Sequence, residues 1–241
     1  MLEREGRVAL ITLDAPARRN ALTPAMAADL CEACDAADAD PGVGAVVVRG
    51  AGGSFCAGAE LETLSAIALD PAEDGRFAAL SLIYSAFARV GELRVPTIAA
   101  VRGAAVGAGL NLALTADLRI ASPDARLMAG FLAIGVHPGG GCLTLLERLV
   151  GREAAAAVAL FGESLTGERA RELGAIWETV ADDQVEARAL ALASRAAADV
   201  ELARRTAATW RTESATRLPL PIAVEYERAA QMWSLRRRGT A

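Results

Sequence analysis

The sequence predicts an α/β fold with a mainly parallel sheet, on three observations. Apolar runs of strand length alternate with longer segments of helical periodicity, and turns rich in glycine and alanine join several of them. A content of 53% hydrophobic residues over 241 positions is enough to bury a full core.

Val8 to Leu13 reads as the first strand, an apolar run without a charge. Thr23-Pro24 starts a helix, because the hydroxyl can accept from an orphan N–H and the proline ring presets φ; this helix runs to about Asp38. Val43 to Arg49 is a buried strand ended by Gly50-Ala51-Gly52-Gly53. A helix near Glu60 to Ser65 stops at Leu69-Asp70-Pro71, and Ala72 to Arg89 resumes as a longer amphipathic helix. Pro96 to Val101 is a strand that leads through Gly103 into a helix from Gly107 to Leu114, and Leu118 to Ala121 is a short strand. Beyond Leu143 the pattern is helical almost throughout, with Ala175 to Val180 as one strand-like interruption. From Gln184 to Leu235 the Ala- and Arg-rich stretches read as packed helices, broken at Leu218-Pro219-Leu220-Pro221. The expected organisation is a core over residues 1–183 and a helical region over 184–241.

Composition removes several classes of function. All 25 basic residues are arginine, so a Schiff-base lysine, a phosphate-loop lysine and a Tyr-Lys reductase pair are excluded. A net charge of −5 argues against a nucleic-acid partner, and Arg236-Arg237-Arg238, the one basic block, reads as a solvated tail. No apolar run reaches the length of a membrane span, and the charged start Met1 to Gly6 does not suit a secretory signal, so a cytoplasmic location is expected. Cys31 and Cys34 lie one helical turn apart without a second pair, and the chain has a single histidine, which leaves no ligand set for zinc.

Two small-residue turns stand out, Ala57-Gly58-Ala59-Glu60-Leu61 and Gly107-Ala108-Gly109-Leu110-Asn111, because each precedes a helix. Helix starts leave backbone N–H groups unpaired, and two such groups aimed at one point stabilise charge growing on a carbonyl oxygen. Arg19 to Leu22, Ala45 to Gly50, Ser54 to Leu61, Ala100 to Gly103, Asp117 to Ala121 and Gly135 to Gly141 follow, in order, the motifs of the enoyl-CoA hydratase/isomerase (crotonase) family, which the chain resembles over roughly residues 5–180.

The resemblance implies a spiral of β-β-α units whose C-terminal helices assemble trimers or dimers of trimers. It implies an acyl-CoA thioester as substrate, acyl-CoA (fatty acid) metabolism as the setting, and no cofactor beyond the coenzyme A that the substrate carries. Ala59 and Ala108 would supply the two oxyanion N–H groups. Ala57, Gly58, Glu60 and Leu61 would lie at the CoA adenine pocket with Ala21, and Arg18 and Arg19 either reach CoA phosphates or remain surface arginines before a helix. The family's two catalytic glutamates fall, by count, at Asn111 and Phe131, neither of which exchanges a proton. His137, in the Gly135 to Gly141 turn, is then the candidate base, since imidazole exchanges protons near neutrality and the following Pro138 favours an extended backbone. Its alternative is a hydrogen bond within its own loop. A catalytically silent acyl-CoA-binding protein is the alternative from another class.

Two rival families fail on the residues. Gly103-x-x-x-Gly107-x-Gly109 has the spacing of a short-chain dehydrogenase motif, but it lies over ninety residues into the chain and that family's Tyr-x-x-x-Lys is impossible without lysine. Gly52-Gly53-Ser54-Phe55-Cys56 lacks the second glycine of a hydrolase nucleophile elbow.

Overall fold

The computed structural model describes residues 1–216 and 218–239, with no side-chain description of Arg238 and Gly239. The chain runs β1 (Leu2–Glu5), β2 (Val8–Leu13), α1 (Pro24–Ala39), β3 (Ala45–Gly50), α2 (Leu61–Ala68), α3 (Asp74–Gly91), β4 (Thr97–Val101), β5 (Ala104–Val106) and α4 (Ala108–Thr115). It continues through β6 (Leu118–Ala121), β7 (Arg126–Met128), α5 (Cys142–Leu160), β8 (Ser164–Thr166), α6 (Gly167–Glu172), β9 (Glu178–Thr179), α7 (Val185–Ala196), α8 (Val200–Thr216) and α9 (Leu220–Gly239). The larger sheet has the order β1-β2-β3-β4-β6-β9 and is parallel except for β1 against β2. A smaller sheet, β5-β7-β8, stands beside it.

The central strands carry little polarity because both faces are covered. One face of the larger sheet, with Ile11, Val46, Val48 and Ala99, packs into the main core beneath α1, α3 and α4. The other face, with Val8, Leu10, Ala45, Val47 and Ile98, packs against Val185, Ala189 and Ala193 of α7. The Thr23 hydroxyl accepts from Met26 N–H at 3.2 Å with Pro24 in the first turn, so α1 begins as its sequence indicates.

Four strands carry no sequence signal. β1 is a fully exposed, charged edge, and β5, β7 and β8 are three residues each, too short for a period to register. The strand-like stretch from Ala175 to Val180 narrows to Glu178–Thr179, and α3 starts at Asp74, where the Glu73 carboxylate accepts from Gly75 and Arg76 N–H. Arg236 and Arg237 of the basic block lie on α9 and are not a solvated tail. Arg237 pairs with Asp199 at 3.0 Å and lies over the Trp233 ring at 4.7 Å, while the Arg238 side chain falls outside the described residues. Among the described residues no helix is long and apolar enough to cross a membrane.

Candidate active site

The two glycine-alanine turns meet because the segments before them pair as strands. After β3 the chain turns through Ala51–Gly53 and runs alongside β5. Phe55 N–H donates to Arg102 O at 2.7 Å, Cys56 N–H to Ala104 O at 2.9 Å, and Val106 N–H to Cys56 O at 3.0 Å. Asn20 locks this approach from behind. It is fully buried in a left-handed conformation (φ 58°), accepts from Ala15 N–H and donates to Ala51 O and Ser54 O at 2.9 and 2.7 Å.

Two glycines make the contact this close. A Cβ on Gly58 (φ +97°) would lie 2.7 Å from Val106 O and 3.6 Å from Ala108 N, and one on Gly109 would lie 2.2 Å from Cys56 O. Ala59 then bridges to Leu22, with Leu22 N–H donating to Gly58 O at 2.7 Å and Glu60 N–H donating to Leu22 O at 2.9 Å. In extended chain successive N–H groups point to opposite sides, so that of Ala59 faces away from Leu22. Ala108 opens α4, where no preceding helical carbonyl is in reach. Among the described residues neither N–H has a backbone acceptor.

Both alanines line one cleft of about 410 Å³, together with Ala57, Gly58 and Leu61. Its walls are largely apolar; its polar side chains are Tyr84, Asn111 and His137. Asn111 is 1% exposed and its Nδ2 donates to Gly139 O at 3.0 Å and Gly140 O at 3.4 Å. Two carbonyls fix which end of the amide faces them, and they leave Oδ1 buried without a partner. Phe131 is half-buried on the facing wall, and a Cβ on Gly107 would come within 4.0 Å of its ring.

His137 is exposed at the cleft, with Nδ1 2.7 Å from Pro138 O. A carbonyl only accepts, so Nδ1 carries hydrogen and the neutral ring keeps its lone pair on Nε2. His137 therefore bonds within its own loop and also borders the cleft. Tyr84 was missed by the sequence reading, because on α3 it continues the apolar stripe of Leu80 and Ile83. Burial pushes its hydroxyl pKa up, and a Cβ on Gly139 would lie 2.4 Å from its oxygen.

Glu60 accepts from Thr63 Oγ1 at 2.9 Å and does not line the cleft. Arg18 lies in a separate recess with Asp14 and Asp29, where its Nε donates to Ala21 O at 3.1 Å. Ala21 is buried beneath it. Arg19 is exposed and left-handed (φ 52°), and its carbonyl accepts from Ala57 N–H at 3.0 Å.

Two sheets, their covering helices and the C-terminal helical region give this protein a crotonase-like α/β fold. An enoyl-CoA hydratase from Polaromonas sp. JS666 superposes with a TM-score of 0.88 at 29% identity, covering 98% of this chain and 91% of that one. A protein from Thermobifida fusca YX, solved in complex with CoA, superposes with a TM-score of 0.84 at 30% identity, covering 100% and 94%. The enoyl-CoA hydratase/isomerase family model matches residues 3–233, and the chain belongs to that family. "Probable enoyl-CoA hydratase EchA14" of Mycobacterium tuberculosis is 48% identical over 211 residues, covering 88% of this chain and 80% of the relative. The 2,3-dehydroadipyl-CoA hydratase of Escherichia coli K12 is 35% identical over 208 residues, covering 86% and 79%.

Proposed function

We propose that this protein binds an acyl-CoA thioester, stabilises its enolate and acts in cytoplasmic acyl-CoA (fatty acid) metabolism. The observation that carries the reading is the pair of unaccepted N–H groups, Ala59 and Ala108, held at one apolar cleft by the pairing of Cys56 with Ala105. With the thioester oxygen between them, both donors strengthen as charge moves onto oxygen when the α-proton leaves. One such donor contributes on the order of 10²–10³ in rate.

His137 is the base in this scheme. Its Nε2 lone pair takes the α-proton while the hydrogen bond from Nδ1 to Pro138 O holds the ring, a contribution on the order of 10²–10⁴. Asn111 and Phe131 occupy the positions of the family's two glutamates, so direct hydration across a double bond is expected to be weak. The same family reading carries an assembly of three or six copies, supported by the exposed Trp210, Leu220 and Met232 on α8 and α9.

Calorimetry with acetyl-CoA, butyryl-CoA and free CoA tests the binding, and no heat with either thioester would sink the proposal. Exchange of the acyl α-proton with deuterated water tests the base. His137→Ala should reduce exchange at least ~100-fold with thioester affinity changed little. Unchanged exchange in both His137→Ala and His137→Gln removes His137 as the base. If the unmodified protein binds without any exchange, the silent acyl-CoA-binding protein is the correct reading.

A further inference from the structure

Asn111 Oδ1 is a polar atom of the cleft wall that the fold leaves unused. It is buried without a partner, and because the amide is planar it points away from the turn that Nδ2 faces. An acceptor at that depth is unfavourable until a donor reaches it, and a ligand O–H is such a donor. Tyr84 supplies the complement. Burial alone acts on its hydroxyl, with no charge or hydrogen bond from the protein, so the hydroxyl keeps its hydrogen at neutral pH. Its ring rests against Phe87, with centroids 5.8 Å apart, and its oxygen stands over Gly139, the residue whose carbonyl Asn111 Nδ2 binds. The two groups therefore flank one residue of the wall, one donating and one accepting, as a hydroxyl or a water requires. Asn111 stands three residues after Ala108 on α4, and helix side chains lean toward the N-terminus, so its amide lies over the turn that begins with the Ala108 donor. Three residues of helix rise about 4.5 Å, comparable to the reach from a thioester oxygen to an oxygen on the third acyl carbon. We propose that Tyr84 contacts substrate: its hydroxyl and Asn111 Oδ1 together hold one oxygen at that carbon, the hydroxyl of a 3-hydroxyacyl group or the water that adds to an enoyl group. The proposal rests on the thioester reading above. Neither group exchanges a proton at neutral pH, so the pair positions this oxygen and leaves proton transfer to His137.

Calorimetry on the whole protein compares the two enantiomers of 3-hydroxybutyryl-CoA with butyryl-CoA and free CoA, and crotonyl-CoA hydration is followed beside it. One enantiomer should bind on the order of 10-fold more tightly than butyryl-CoA, since a donor and an acceptor at fixed points fit one configuration. Tyr84→Phe, at a residue 37% exposed, removes the donor and leaves the core intact. Gly139→Ala is the second variant: its methyl group would lie 2.4 Å from the Tyr84 oxygen, the end of a side chain that can swing aside, so the hydroxyl is displaced with the ring retained. Each variant should reduce the favoured enantiomer to the affinity of butyryl-CoA. If the oxygen is also held as water, Tyr84→Phe lowers kcat for hydration on the order of 10-fold, more than it raises KM. A kcat that does not move assigns the pair to the hydroxyl alone, and a kcat that falls without any hydroxyl advantage assigns it to the water alone. Neither enantiomer surpassing butyryl-CoA together with an unmoved kcat, or an advantage that survives both variants, would overturn the proposal. Thioesters binding no better than free CoA would instead overturn the thioester reading beneath it.

Discussion

Asn111 spends its donors on Gly139 and Gly140, so it fastens α4 to the turn across the cleft and holds no titratable proton. Replacing Asn111 and Phe131 together by glutamate should raise crotonyl-CoA hydration on the order of 10²–10³, with much less from either change alone, since two carboxylates act on one water as a unit. Asn111→Glu alone should also lower stability by about 1–3 kcal/mol, because a carboxylate would face two carbonyl oxygens; a denaturant titration checks this. The positions of these two side chains at the cleft were legible from the order of the motifs. The tie from Asn111 to the far turn was not, because nothing in a helical segment says which loop will fold back over it. Tyr84 escaped for the opposite reason: helical spacing makes a cleft-lining tyrosine and a core tyrosine look alike.

At the scale of elements, the site depends on how closely α4 approaches the strand that ends at Cys56. Gly109→Ala places a methyl group 2.2 Å from Cys56 O, a backbone atom that cannot rotate aside. The helix must lift, at a cost of about 2–3 kcal/mol, and the Ala108 N–H moves with it relative to Ala59. Thioester affinity should fall at least ~10-fold while free CoA affinity falls less; an affinity unchanged for both would show that the donor pair does not hold the carbonyl. The long buried strands and α1 were readable because their apolar runs and cap are local. β5, which brings the two turns together, was not, since three residues acquire strand character only through the partners they meet.

For the molecule as a whole, the alkaline limb of stability follows from its buried thiols. Burial pushes Cys34 and Cys56 up to about 12 and Cys142 to about 11, so the folded state holds these protons more firmly than the unfolded chain does. Their contribution is intact below the ordinary thiol value and is lost as pH rises toward the folded values. Arg119, pushed down to about 10 by burial, opposes this above that pH, because there the unfolded chain binds the extra proton. Melting temperature should therefore hold to about pH 9 and fall most steeply between about pH 9 and 10; a flat profile across that range counts against the buried thiols as its cause. The same burial has a chemical consequence. Acyl thioesters acylate free amines and thiolates, and this chain has no lysine, while all four of its thiols are kept protonated beyond their usual range. On the proposed function, the protein can sit beside a reactive acyl donor through many encounters with no side-chain amine to mark.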